Sequence, residues 1–208
     1  MDKNILRQIM SQTINIDNDE WEAFEPYIFA KKIKKREIYL QEGAVNNEIG
    51  FVTSGSFRQY YMIDGIEKTT FFFFENSFVC DYDSFLTQRP CDHYIEAMED
   101  CEVLYFHREV LQRLYRLYPK YETFGRLIAE NVYLCTKERL GHFLLNTPEE
   151  RYKHFMRSHE AEQILQRVPQ HYIASYLGIT PVSLSRIRAR IIHEKQINEK
   201  NRPLSIKP

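Results

Sequence analysis

The chain has 208 residues, 43% of them hydrophobic, which is enough to build packed cores in one large or two small domains. Its four cysteines (Cys80, Cys91, Cys101 and Cys135) are scattered without a Cys-x-x-Cys pair, which suggests neither a zinc ribbon nor a disulfide framework. No apolar run approaches the roughly 20 residues of a membrane span, and the first ten residues do not resemble a signal peptide. We therefore expect a cytoplasmic protein with no membrane partner.

The net charge of −1 conceals an uneven distribution. Up to Cys135 the chain has 15 basic and 22 acidic residues, and after it 13 basic and 7 acidic residues. A basic second half suits a nucleic-acid partner, although a solvated basic face is a common alternative.

In the first half of the chain, the spacing of apolar residues changes from a helical to a strand-like pattern near residue 29. Residues 4–28 have loosely helix-spaced apolar positions, with Asp17 and Asp19 available as caps, and predict a short helical lead-in. Residues 29–107 consist of short alternating or aromatic runs punctuated by glycine and proline, which predicts an all-β domain. Within it, Asp64-Gly65 indicates a hairpin with a type I′ turn, because both residues tolerate the positive φ that this turn requires.

Four consecutive phenylalanines at 71–74 fit a strand buried on both faces, with an aromatic ligand cage as the alternative.

A long helix should begin at Pro119, whose fixed φ suits the first turn of a helix. Its apolar residues form more than one stripe, so the helix must be covered on two sides. We expect one side to pack on the β domain and the other on the same helix of a second subunit. The residues assigned to this dimer helix are Tyr121, Phe124, Ile128 and Cys135, with Leu127 and Leu134 on a neighbouring face. Asn131, within the seam, is either a tolerated polar residue or one that sets helix register or reaches a ligand.

The segment 168–193 has the spacing of a helix-turn-helix. Ala174 is small enough for a close helix crossing, Gly178 supplies a left-handed residue that ends the first helix, and Thr180 can cap the second. Leu184 and Ile187 belong to the buried stripe of the second helix.

The outward face of that second helix offers an apolar group, hydroxyls and guanidiniums to base edges and phosphates. The candidate DNA-binding residues are Thr180, Val182, Ser183, Ser185, Arg186, Arg188 and Arg190. The alternative is an ordinary helical hairpin with a solvated arginine-rich face. We expect Arg186 to read bases, and Arg190 and Lys195 to contact phosphates.

Several stretches of the chain together resemble the superfamily of the cyclic-AMP receptor protein and the fumarate-nitrate regulator (Crp/Fnr). They are Glu42-Gly43, Gly50–Gly55 with Arg58 and Tyr60, Phe78–Tyr82, Ala97, Cys101–Val103, Ile173–Thr180 and Ser183–Arg186. The stretch Leu144–Tyr152 is similar to the linking segment of Bacteroidetes-like members. The resemblance implies an α+β protein in three parts. These are a β-roll (double-stranded β-helix) sensor domain at residues 1–118, a dimerisation helix at 119–147 and a winged helix-turn-helix domain at 148–208.

The resemblance also shows where the chain departs from the family. Members that bind cyclic nucleotides hold the ribose with a glutamate and the phosphate with an arginine followed by serine or threonine. Alignment places Asp81 at the glutamate and Cys91-Asp92 at the arginine-serine pair, which removes the phosphate clamp. Arg89, before Pro90, should point elsewhere. The residues that would line an effector pocket are Phe72, Asp81, Tyr82, Cys91, Asp92, Ile128 and Asn131.

No cofactor is indicated. The first 79 residues contain no cysteine to hold an iron–sulfur centre, and haem ligation would have to use His93 or His107. The same two histidines are too few for a cupin-like metal enzyme, and a β-roll that mediates only protein contacts would leave the helix-turn-helix unexplained. We therefore expect a homodimeric, non-enzymatic transcription regulator that binds an inverted-repeat operator. Its further partners would be RNA polymerase and an unidentified small-molecule effector, not cyclic AMP. Because Pro181 and Val182 replace the arginine and glutamate of the founding member, its operator should differ.

Overall fold

The structure is a computed structural model that describes residues 1–200, with side chains described up to Glu194. The helices are α1 (Asn4–Ser11), α2 (Asn18–Phe24), α3 (Tyr82–Thr87), α4 (Arg108–Leu117), α5 (Pro119–Leu145), α6 (Pro148–Phe155), α7 (Ala161–Arg167), α8 (Gln170–Tyr176) and α9 (Pro181–Lys200). The strands are β1 (Phe29–Ile33), β2 (Ile38–Leu40), β3 (Glu48–Ser54), β4 (Phe57–Ile63), β5 (Ile66–Phe73), β6 (Phe78–Val79), β7 (Tyr94–Ala97) and β8 (Cys101–His107). None of the helices within residues 1–200 is long and apolar enough to cross a membrane.

The chain divides into two units, Met1–Glu138 and Arg139–Pro208. The division falls inside α5, before the boundary at residue 148 that the family resemblance implies. In the first unit, antiparallel strands form two four-stranded sheets, with the orders β1-β8-β3-β6 and β2-β7-β4-β5. This arrangement confirms the predicted β-roll with short helices before it.

The hairpin between β4 and β5 confirms the turn prediction. Ile63 pairs with Ile66, and the two turn residues, Asp64 and Gly65, have φ values of 52° and 74°. Both positive angles are those of a type I′ turn, whose twist matches that of the flanking strands. Further along β5, Phe72 and Phe73 are both buried although they point to opposite faces, whereas Phe71 is 38% exposed, so the phenylalanine run is buried on both faces only in part.

The first unit has two apolar cores because the sheet containing β3 and β8 is covered on both faces. One core lies inside the roll and includes Val52, Phe57, Ile95 and Val103. The other lies beneath the helices and includes Leu6, Phe24, Phe51, Leu104, Phe106, Tyr121 and Phe124. Alternate residues of β3 and β8 therefore serve different cores, which explains why both strands are apolar along their central parts, Ile49–Val52 and Val103–Phe106.

The second core corrects part of the dimer-helix prediction. The ring of Tyr121 packs edge-on against Phe24 at 6.0 Å, and the ring of Phe124 packs against Phe78 at 5.9 Å. Tyr121 is 1% exposed and Phe124 is 8% exposed, so neither side chain has surface to offer a second subunit. Both residues fix the start of α5 to the β-roll instead. Ile128 is partly buried against the same core, whereas Cys135 is exposed.

In the second unit every element among residues 139–200 is helical, so the wing predicted from the resemblance is not found in this part of the chain. The helix-turn-helix itself is confirmed: α8 ends before Gly178, whose φ is 66°, and α9 begins at Pro181. Ile173 and Ala174 of α8 are buried, as are Leu177 just after it and Leu184 of α9.

Candidate functional site

The start of α9 is fixed by a local hydrogen-bond cap. The hydroxyl oxygen of Thr180 accepts a hydrogen bond from the Ser183 backbone N–H at 3.1 Å, and the two hydroxyls lie 2.9 Å apart. This satisfies one of the amides that a helix leaves unpaired at its N-terminus. Ser183 is half-buried, and its hydroxyl lies beside the Thr180 hydroxyl in this cap.

The exposed face of α9 is centred on a line of four residues at steps of four, three and four. They are Val182, Arg186, Ala189 and His193. These steps place side chains on one side of a helix. Val182 is 60% exposed and is the apolar member of this line. The sequence pattern predicts Val182 and Arg186 for this face but not Ala189 and His193, although each of these follows one of the first two by seven residues.

The other predicted residues of α9 flank this line. Ser185 is exposed, whereas Arg188 lies within hydrogen-bonding reach of the Tyr152 hydroxyl in α6. Burial raises the pKa of that hydroxyl, and Arg188 opposes the shift. The guanidinium of Arg190 is 2.7 Å from the carboxylate of Glu149, also in α6. Arg188 and Arg190 thus both have partners within the chain. The sequence pattern predicted Arg190 on the outward DNA-facing side, but it lies at the edge of that face beside α6. The Lys195 side chain lies outside the described part.

The sensor region of the first unit is built around α3 and β7. Asp81 is 7% exposed, and its Oδ1 atom accepts hydrogen bonds from the backbone N–H groups of Asp83 and Ser84. The residue at the ribose-binding position therefore acts as the N-cap of α3. A carboxylate suits this place because it pairs with the amides that the helix leaves free.

Cys91, which the family resemblance aligns with the phosphate-binding arginine, lies in the core inside the roll. Its thiol donates to the backbone carbonyl of Gln41, with the sulfur 3.0 Å from the oxygen. Burial raises the pKa of the Cys91 thiol, and the carboxylate of Asp81 raises it further. A neutral buried thiol supplies no charge for a phosphodiester. The nearby Arg89 is exposed.

His93 lies between two carboxylates, an arrangement that no sequence pattern indicates. Its Nδ1 atom is 3.1 Å from Asp92 Oδ1, and its Nε2 atom is 4.0 Å from Asp81 Oδ2. The imidazole is 4% exposed, and Nε2 has no hydrogen-bond partner among the described residues. Burial raises the pKa of the neighbouring Tyr61 hydroxyl, and Asp92, Asp81 and Asp83 raise it further. The field in this region is thus negative.

The structure brings only some of the predicted pocket residues together. Asp81, Cys91 and Asp92 surround His93, whereas Tyr82 and Ile128 pack against the core beneath the helices. Phe72 lies in β5 opposite Arg58 of β4, and Asn131 is exposed on α5.

Comparison with known proteins assigns the fold. Residues 30–118 match the family model of the cyclic nucleotide-binding domain. No curated protein matches the chain by sequence. Among solved structures, FixK2 from Bradyrhizobium japonicum has a TM-score of 0.68 at 16% identity, covering 81% of this chain and 86% of its own. A CooA mutant from Carboxydothermus hydrogenoformans also has a TM-score of 0.68 at 16% identity, covering 93% and 86%.

A third similar structure is the c-di-GMP responsive global regulator CLP of Xanthomonas campestris, with a TM-score of 0.67 at 17% identity, covering 86% of this chain and 93% of its own. These three proteins are Crp/Fnr regulators. Residues 30–118 therefore match a cyclic nucleotide-binding domain, and the chain has the fold of the Crp/Fnr regulators. The identities are too low for a shared ligand or shared contact residues to follow from the fold.

Proposed function

We propose that this chain is a sequence-specific DNA-binding transcription regulator of the Crp/Fnr type, acting in the cytoplasm. The observation that carries the proposal is the exposed face of α9, where Val182 and Arg186 lie on one line outside a buried helix-turn-helix core. A helix of this kind enters the major groove, where a guanidinium can donate two hydrogen bonds to a guanine. The excess of basic residues after Cys135 supports an attraction to phosphates.

The proposal includes a homodimer formed through α5. With Tyr121 and Phe124 assigned to the core, the seam shifts to Leu127, Asn131 and Leu134, at steps of four and three. Leu127 is 37% exposed and Leu134 is 59% exposed, and a seven-residue repeat of leucine is the spacing of a two-stranded coil. Asn131 between them would set the helix register. Cys135 lies beside this seam and is exposed.

The two-fold axis of such a dimer determines the form of the operator. Two recognition helices related by that axis would enter successive major grooves about 34 Å apart, so the site should be an inverted repeat. The bound dimer would act on transcription through RNA polymerase.

The proposal also limits the effector of the β-roll. Asp81 is engaged as a helix cap, Cys91 is a neutral buried thiol, and Asp92 is a carboxylate beside the expected phosphate position. These residues disfavour a cyclic phosphodiester such as cyclic AMP. A neutral or cationic hydrogen-bond donor would suit the negative field around His93 better.

The test is selection of bound sequences from random double-stranded DNA by the purified full-length protein, followed by mobility-shift titration of the enriched site. We expect an inverted repeat that binds much more tightly than unrelated DNA at the same salt concentration. Enrichment of no sequence, or binding that is equal for all sequences, would contradict the proposal.

A further inference from the structure

Two arginines hold the turn of the helix-turn-helix against the last turns of α5. The Arg139 guanidinium donates a hydrogen bond to the backbone carbonyl of Tyr176 at 2.9 Å. Arg151, in α6, donates from Nε to the carbonyl of Leu177 at 3.0 Å and from a terminal nitrogen to the carbonyl of Asn146 at 3.0 Å. Tyr176 and Leu177 end α8, where carbonyls have no partner within the helix and attract positive charge.

The aromatic ring of Phe143 lies between these arginines. The Arg139 guanidinium is 5.3 Å from the centre of the Phe143 ring and the Arg151 guanidinium is 5.2 Å from it. Arg139 also lies over the ring of Tyr176 at 3.7 Å. Phe143 packs closely on Gly178, the residue between α8 and α9. Hydrogen bonds, cation–π contacts and close packing therefore converge on one turn.

This arrangement, which we name the arginine clamp (Arg139, Phe143 and Arg151), is more than a helix cap. Arg139 is half-buried and burial lowers the pKa of its guanidinium, so the chain keeps a partly desolvated cation at this place. Each arginine joins the end of α8 to an element that precedes the helix-turn-helix.

We propose that Arg139 and Arg151 are positioning residues for operator recognition, which fasten the turn before α9 to the end of the dimer helix. The inference rests on the proposed function, because it assigns the clamp the task of setting the spacing between two recognition helices. A rigid connection makes the dimer selective for one half-site separation. A loose connection lets each helix-turn-helix find its half-site independently.

The experiment measures how affinity depends on half-site spacing. The enriched operator is compared with a version in which the half-sites are moved apart by about five base pairs, half a turn of DNA. For the unaltered protein we expect an affinity loss of about a hundredfold, because only one recognition helix can then bind and the gain from bivalence disappears. For Arg139→Gln combined with Arg151→Gln, we expect this penalty to fall below about tenfold.

The control removes the same charge elsewhere. Arg126→Gln combined with Arg157→Gln alters two exposed arginines outside the clamp and should keep the full spacing penalty. Affinity for a single half-site should be the same in the unaltered protein, the clamp variant and the control variant. A general loss of structure would instead lower this affinity in the clamp variant. Hydrogen exchange gives a readout without DNA: the amides of Gly178 and Ile179 should exchange faster in the clamp variant than in the control.

A lysine pair keeps the test decisive if the glutamine variant does not fold. Arg139→Lys combined with Arg151→Lys keeps both positive charges and the aliphatic parts of the side chains but loses the planar guanidinium with its several N–H donors. This variant should show a spacing penalty between those of the unaltered protein and the glutamine variant. A spacing penalty equal to that of the unaltered protein in both variants would overturn the inference. The inference would also be overturned if the clamp variants lost as much affinity for a single half-site as for the full operator, because that result would indicate a purely structural role. If the unaltered protein binds no DNA sequence selectively, the proposed function itself is wrong.

Discussion

The ring of Phe143 occupies the space that a β-carbon on Gly178 would need, since that atom would lie 2.6 Å from Phe143 Cε1. Glycine is therefore favoured at this position for two reasons: the close contact with Phe143 and its φ of 66°. We predict that Gly178→Ala destabilises the protein by about 1–3 kcal/mol, the usual cost of a strained backbone position. Urea unfolding followed by circular dichroism measures the change.

Gly141 provides the control for this substitution, because it lies within α5 and a β-carbon there would meet no atom within 4 Å. Gly141→Ala should stabilise the helix by about 0.5–1 kcal/mol. Equal effects of the two alanines would show that Phe143 does not constrain the turn.

Arg186→Ala should weaken operator binding by about 1–3 kcal/mol, because the guanidinium is expected to form two hydrogen bonds to one guanine. Binding to unrelated DNA should barely change. The helix should remain intact because Arg186 is exposed and alanine favours helix. Competition mobility-shift assays measure both affinities.

Arg190→Ala is the matched control on the same helix. Arg190 is expected to contribute general attraction to phosphates, weakened by its ion pair with Glu149, so its loss should affect all sequences alike and reduce the salt dependence. If Arg186→Ala instead keeps full preference for the operator, the reading face of α9 has been assigned wrongly.

Leu134→Asp should convert the proposed dimer to a monomer at micromolar concentration, because a buried carboxylate would face its copy across the seam. Unfolding of the subunit should change little, since this side chain is 59% exposed. Light scattering during gel filtration gives the mass. Tyr133→Asp adds the same charge about 100° away around the helix and should remain dimeric.

Phe124→Ala tests whether Phe124 belongs to the core of the first unit or to a dimer seam. Truncating a buried phenylalanine costs about 3–5 kcal/mol of folding stability. We expect that loss in thermal or urea unfolding of the first unit, which Trp21 fluorescence reports. A variant with unchanged stability and a lower mass would place Phe124 at the subunit interface after all.

Cyclic AMP should show no saturable binding at micromolar concentrations in titration calorimetry. The expected phosphate position holds a neutral thiol, Cys91, and a carboxylate, Asp92, which do not attract a phosphodiester. Tight binding would mean that Arg89, or a residue from a partner subunit, supplies the missing positive charge.

Patterns governed by neighbouring residues were predictable from the sequence. The Asp64-Gly65 turn, the cap at Thr180 and the left-handed Gly178 were each identified correctly, because such features depend on φ preferences and hydrogen bonds within a few positions. The β-roll and the helix-turn-helix followed from the periodicity of apolar residues together with the resemblance to a family.

What only the tertiary structure decided depends on contacts between distant segments. Periodicity marked Tyr121 as one residue of an apolar stripe, but only the position of Phe24 from α2 shows that the β-roll unit covers it. Likewise, no sequence pattern indicates that Arg139 bonds to the carbonyl of Tyr176, because 37 residues separate them. Local rules specify which residues can form an element and which of its faces are apolar. Which segment covers each face depends on packing across the whole chain. That packing must bury the apolar area closely and at the same time give every buried polar group a hydrogen-bond partner.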